Sequence, residues 1–113
     1  MTIEELIYRD IEGTEDFVDV VDVDFGGGYE WDEFHAWYSP SKRRYFWAEG
    51  SGCSCNYFGE DLYKLDDFSS GSKSDLESGL RSYLDEAYSA RPADVLDAVA
   101  KVKTFRASKA VKS

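Results

Sequence analysis

Eleven of the chain's 18 aromatic side chains fall in the 34 residues from Phe25 to Phe58. Rings at that density have to be withdrawn from water, so this stretch is expected to build most of the core. The segment from Tyr29 to Glu60 also holds all three tryptophans, both cysteines and the only histidine. Its apolar residues alternate with polar ones on either side of a Ser39-Pro40-Ser41-Lys42 turn, which reads as a β-hairpin. One strand is predicted from Tyr29 to Tyr38 and its partner from Arg43 to Glu49.

The alternation changes phase inside the first of these strands. Tyr29 and Trp31 share one parity, whereas Phe34, Ala36 and Tyr38 fall on the other. A bulge near Asp32 and Glu33 would bring both sets to one side. The alternative is a sheet with aromatics on both faces. Upstream, Phe17 to Phe25 reads as a further strand, with Val21, Val23 and Phe25 alternating against Asp22 and Asp24. Asp19 breaks that pattern and implies a second bulge. Gly26 to Gly28 is turn chemistry, and together the strands make an antiparallel meander.

Downstream, Gly50 to Asn56 reads as a glycine-bracketed turn, Glu60 to Phe68 as a short strand or helical turn, and Ser69 to Ser72 as a flexible joint. A helix is predicted from Ser74 to about Tyr88. Ser74 and Glu77 have capping-box spacing, and Leu76, Leu80, Tyr83, Leu84 and Ala87 lie on one face. A second helix opens at Pro92, a residue suited to the first helical position, with Val95, Leu96, Val99 and Val102 as its apolar stripe. Thr2 to Tyr8 has weaker helical spacing. The expected class is α+β: a three- to four-stranded antiparallel meander packed against two C-terminal helices. It occupies residues 1–106 as a single domain, with 107–113 as a basic, frayed tail.

With 113 residues, 42% of them hydrophobic, the chain can bury such a core without staples. No apolar run reaches the roughly 20 residues of a membrane helix. The N-terminal residues lack the basic and apolar regions of a signal peptide, so a cytoplasmic protein is expected. There the two cysteines would stay reduced. The net charge of −10 is uneven, since residues 1–35 carry 12 acids against Arg9 alone. Such a field repels nucleic acid from the body of the domain and favours partners with a basic surface. Only the basic tail, with five cations after residue 98, has any nucleic-acid character. Lys42, Arg43 and Arg44 at the hairpin tip are expected to pair with acids of the adjacent strand.

The residues that can carry chemistry are few. Cys53 and Cys55 point to the same side if the segment is extended, and with His35 they would supply three zinc ligands, one short of a structural site. The plainer reading makes both thiols small buried hydrophobes in a tight turn. Gly52-Cys53-Ser54-Cys55-Asn56 misses the nucleophile-elbow pattern because Asn56 stands at the second glycine. His35 is the one general-base candidate of its type, and no cofactor motif is present. Asp19, Asp22, Asp24, Glu30, Asp32 and Glu33 are the candidate partner-binding residues.

The run Tyr45-Phe46-Trp47-Ala48-Glu49-Gly50-Ser51-Gly52-Cys53-Ser54-Cys55, followed by Tyr57, Phe58 and Glu60, resembles a family of small acidic proteins of actinobacterial phages. Tyr29-Glu30-Trp31-Asp32 is similar to that family's early strand, and the resemblance spans roughly Val20 to Leu80. It implies a phage origin and a retained turn, and it supplies no catalytic residue. The expected function is therefore that of a small acidic, non-enzymatic phage protein that binds and modulates a host or phage protein, with nucleic-acid mimicry as one form. A metal-binding or thiol-based protein and an oligomerising structural domain are the alternatives.

Overall fold

The computed structural model describes residues 10–25, 30–53, 56–86 and 92–106. The sequence readings at Thr2–Tyr8, Gly26–Gly28, Tyr29, Cys55, Tyr88 and the basic tail lie outside them. Four antiparallel strands form one sheet in chain order: β1 (Val18–Asp24), β2 (Glu30–Ser39), β3 (Arg44–Cys53) and β4 (Ser69–Gly71). Two helices follow, α1 (Lys73–Glu86) and α2 (Pro92–Thr104). This is the α+β meander with two C-terminal helices that the residue pattern predicts.

The hairpin of β2 and β3 runs without a slip from Ser39 opposite Arg44 to Glu30 opposite Cys53. Its turn closes through the Arg43 N–H donating to the Ser39 carbonyl at 2.8 Å, with Arg43 at a φ of 54°. Asp16 braces the tip by accepting from the Ser39 hydroxyl at 2.9 Å and the Ser41 N–H at 2.8 Å. Lys42 reaches the Gly13 carbonyl at 3.0 Å rather than an acid of the neighbouring strand.

An unbroken ladder excludes the bulge expected at Asp32 and Glu33. With a period of two, Trp31, Glu33, His35 and Trp37 must then face one side and Asp32, Phe34, Ala36 and Tyr38 the other. The sheet is aromatic on both faces. The bulge expected at Asp19 is present, because the register with β2 shifts between Asp19 and Val21. Val20, the inserted residue, joins Val21 and Val23 in the core.

The helices cover one face. There Phe34, Tyr38, Tyr45 and Trp47 pack with Leu76, Leu80 and Tyr83 of α1 and Val99 and Val102 of α2. The other face is covered by the segments before β1 and after β3, through Ile11, Phe58, Leu62 and Phe68 over Trp37 and Phe46. Phe17 stacks on both Trp37 and Phe46, at 5.7 and 5.1 Å.

Three local readings change. The joint at 69–71 is a short strand paired with Tyr45, Phe46 and Trp47. The cap of α1 is Ser72 with Asp75, not Ser74 with Glu77. The Asp75 carboxylate accepts from the Ser72 N–H at 3.0 Å, and the Ser72 hydroxyl accepts from the Asp75 N–H at 3.2 Å. Gly71 makes this possible, since a Cβ there would lie 2.5 Å from the Asp75 carboxylate. On α2 the buried stripe is Ala98, Val99 and Val102, while Leu96 is 73% exposed. Spacing explains it: residues 95, 98, 99 and 102 share a helical face and residue 96 is turned away. Lys73 ties the helices together by donating to the Lys103 and Phe105 carbonyls, each at 2.8 Å.

Gly79 packs tightly against the sheet, because a Cβ there would stand 2.8 Å from the Trp47 indole nitrogen. Alanine normally stabilises a helix interior by about 1 kcal/mol over glycine. Here Trp47 is buried, and overpacking of about 1–3 kcal/mol is expected to outweigh that gain. Gly79→Ala should lower stability in urea unfolding. A rise would show that the indole gives way freely.

Candidate functional site

His35 sits in the middle of β2, between Asp22 of β1 and Ala48 of β3. Its Nδ1 donates to Asp22 Oδ1 at 2.9 Å and its Nε2 to Glu33 Oε1 at 2.6 Å. Two carboxylate acceptors require both ring nitrogens to carry protons, so the ring is an imidazolium. It is buried against Phe58, with ring centres 4.5 Å apart. Burial opposes this charge, but the hydrogen bonds from Asp22 and Glu33 outweigh it and raise the pKa above 6.5. The His35 hydrogen bond in turn holds Asp22 below 3.8. No lone pair is left to take a substrate proton or a metal ion.

Cys53 and His35 are not brought together. Cys53 lies five positions along the ladder from Ala48, the partner of His35, which is roughly 17 Å of strand. It is exposed and disulfide-bonded rather than a buried thiol. Gly50 to Cys53, expected as a turn, instead continue β3 opposite Glu33 to Glu30, and Phe58 and Leu62 belong to the core on the His35 face. Cys55 lies outside the described residues. Among the described residues no group of three or more histidine, cysteine or acidic side chains is arranged to hold a metal. Asn56, the residue that spoils the nucleophile elbow, anchors the turn. Its side-chain oxygen accepts from the Cys53 N–H at 3.0 Å and from the Trp31 indole at 3.1 Å. Gly52 leaves room for it, since a Cβ there would lie 2.3 Å from that oxygen.

The candidate acids divide between the two faces. Cross-strand partners point the same way, so Asp19, Asp22 and Asp24 share the His35 face with Trp37 and Glu33. Glu30 and Asp32 take the helix face by their parity on β2. There Asp32 accepts a 2.8 Å hydrogen bond from the Tyr83 hydroxyl. Glu49 of β3 and Glu86 at the end of α1 join them around a cavity of about 170 Å³ lined also by Gly50 and Ser51. None of these lining residues is basic. Burial, then repulsion from Glu86 and Asp32, pushes the Glu49 pKa above 4.5. Burial, the bond to Asp32 and the negative charges of Asp32, Glu49 and Asp24 likewise raise Tyr83.

Sequence reasoning missed Glu49, Tyr83 and Glu86 as site residues. The parity of Glu49 with Tyr45 and Trp47 was the one available signal. The sheet thus has an acidic end at Asp24, Asp32, Glu49 and Glu86, opposite the basic hairpin tip of Lys42, Arg43 and Arg44.

A family model described as a domain of unknown function (DUF7574) matches residues 5–109. No curated protein and no solved structure gives a significant match. Among the described residues, no helix is long and apolar enough to cross a membrane.

Two titrations check this electrostatic layout. Since the His35 pKa is raised, its contribution to stability is complete below pH 6.5 and is lost as pH rises through the folded value. Asp22, depressed in the fold, contributes above 3.8 and loses that contribution as pH falls through its lowered value. His35→Gln should therefore flatten the decline of urea-unfolding stability above pH 6.5. The Glu49 shift has the opposite consequence for an acid, because ionising it costs stability as pH rises past 4.5. Glu49→Gln should raise the melting temperature at pH 7, with the difference closing below 4.5.

Proposed function

We propose that this chain, which belongs to the DUF7574 family, is a non-catalytic binding domain whose acidic sheet end holds a protein with a basic surface. The observation that carries this reading is the group of Asp32, Glu49 and Glu86 around one cavity with no basic residue in its lining among the described residues. Burial, then repulsion from Glu86 and Asp32, already raises the Glu49 pKa. A cation from a partner would relieve that cost, so the domain gains more from a basic surface than from a neutral one. Catalysis lacks a comparable support. The only histidine spends both ring nitrogens on carboxylates.

The resemblance to small acidic actinobacterial-phage proteins gives this reading a setting: a phage product acting in the host cytoplasm on a host or phage protein. Nucleic-acid mimicry is a narrower form of it. Asp22 and Asp24 on β1 stand two residues apart, roughly 7 Å along the strand, and Asp19 shares their face across the bulge. Asp22, however, is partly neutralised by His35. That favours the helix-face acids as the principal contact. A zinc or thiol function has less support, because Cys53 and His35 are far apart on the ladder.

Affinity purification from an actinobacterial host lysate, followed by binding measurements on the purified partner, tests the proposal. A basic partner is expected to bind saturably, with an affinity that falls as salt rises. The double variant Glu49→Gln, Glu86→Gln should weaken it roughly tenfold. An affinity that neither salt nor the double variant changes would contradict the proposal.

A further inference from the structure

On the opposite face, a cavity of about 430 Å³ opens between β3 and the segment 56–63. Trp31 supplies an aromatic wall, Tyr57 and Tyr63 line it, and Glu60 and Asp61 bring carboxylates. Among the described residues, no lysine, arginine or histidine lines it. Tyr57 and Tyr63 are 41% and 68% exposed, and no other aromatic side chain among the described residues is exposed. The other described rings are buried or half-buried, and these two stand at one opening. Exposed aromatics gathered at a concave site mark a binding surface.

The Trp31 ring is held in place. Its indole N–H donates to the Cys53 and Asn56 carbonyls, each at 3.1 Å, and Phe58 meets it edge-on with centres 6.4 Å apart. Gly50 lets the ring lie against the strand, because a Cβ there would stand 3.2 Å from it. The backbone beside the cavity is also available. β4 pairs only with Tyr45, Phe46 and Trp47, while β3 continues to Cys53. Among the described residues no strand pairs with the outer edge of β3 from Ala48 to Ser51, and all four of those residues line the cavity.

Resting on the reading of the chain as a binder of basic proteins, we propose that this cleft receives an arginine or lysine side chain from an extended partner segment that adds to the β3 edge. Aromatic faces attract a cation, and a guanidinium can stack on a ring while forking to carboxylates. An open strand edge supplies main-chain hydrogen bonds to an extended peptide, and a pocket beside it selects the side chain. Aromatic rings, carboxylates and an open edge meet at this one place.

The test is a ¹⁵N NMR titration of the full chain with a blocked five-residue peptide of threonine, valine, arginine, valine and threonine. A second peptide carries neutral citrulline in place of arginine. Shifts are expected at the Trp31 indole N–H and the Gly50 and Tyr63 amides, with the citrulline peptide binding roughly tenfold more weakly. Tyr63→Ser should weaken the arginine peptide about threefold or more while leaving the melting temperature unchanged, since that ring is exposed. Comparable binding of a lysine peptide would also support the cleft. Equal binding of the citrulline peptide would overturn it. Shifts confined to Glu86 and Tyr83 would overturn the cleft while leaving the acidic-end reading standing, and no response in either region would count against both.

Discussion

Everything in this structure depends on the unbroken ladder between β2 and β3. Because no residue is inserted from Glu30 to Ser39, successive rings have to leave the strand on opposite sides. One set, around Phe34 and Tyr38, calls for the two helices. The other, around Trp37 and Phe46, needs a second cover, which the chain makes from the segments holding Ile11, Phe58, Leu62 and Phe68. A sheet buried on both faces by a chain this short leaves little regular structure for the second side. Among the described residues, that side is closed by turns and a 3₁₀ segment, Leu65–Asp67.

The same alternation governs the charge. At the central positions of β2 apolar rings occupy both parities, and the one titratable residue there, His35, is neutralised by Asp22 and Glu33. Toward the start of β2 acids take over on both parities, as Asp32 and Glu33. Asp32 meets Glu49 and the end of α1 without a basic residue among the cavity's lining. Among the described residues, Asp32, Glu49 and Glu86 therefore share one cavity without a basic side chain in its lining, and that grouping distinguishes this end from an ordinary solvated face.

The strands and helices were legible because their apolar periods are local. Even the β1 bulge could be read, since Asp19 interrupts the valines. The two-sided sheet is only one of two readings of the sequence because Asp32 and Glu33 are consecutive acids, and either parity fits an outward face. The cap of α1 was misplaced because Ser72 with Asp75 has the same spacing as Ser74 with Glu77. Only the clearance at Gly71 decides between them. Ser69 to Gly71 has no strand signature, and it pairs because Tyr45, Phe46 and Trp47 offer an edge.

The sites were less legible because they join distant segments. The Asp22–His35 bond depends on a register that the bulge resets, and the Tyr83–Asp32 bond spans 51 positions. The cleft needs Gly50, Trp31 and Tyr63 at once, and no sequence spacing encodes that meeting.

Repulsion among Asp32, Glu49 and Glu86 makes the wild-type stability depend on ionic strength at pH 7. If repulsion among these acids dominates, the melting temperature rises with added salt, by the same amount in sodium chloride and tetramethylammonium chloride, because both only screen. A melting temperature that falls with salt in both would mean that ion pairs hold the fold together and that the acidic end is already balanced.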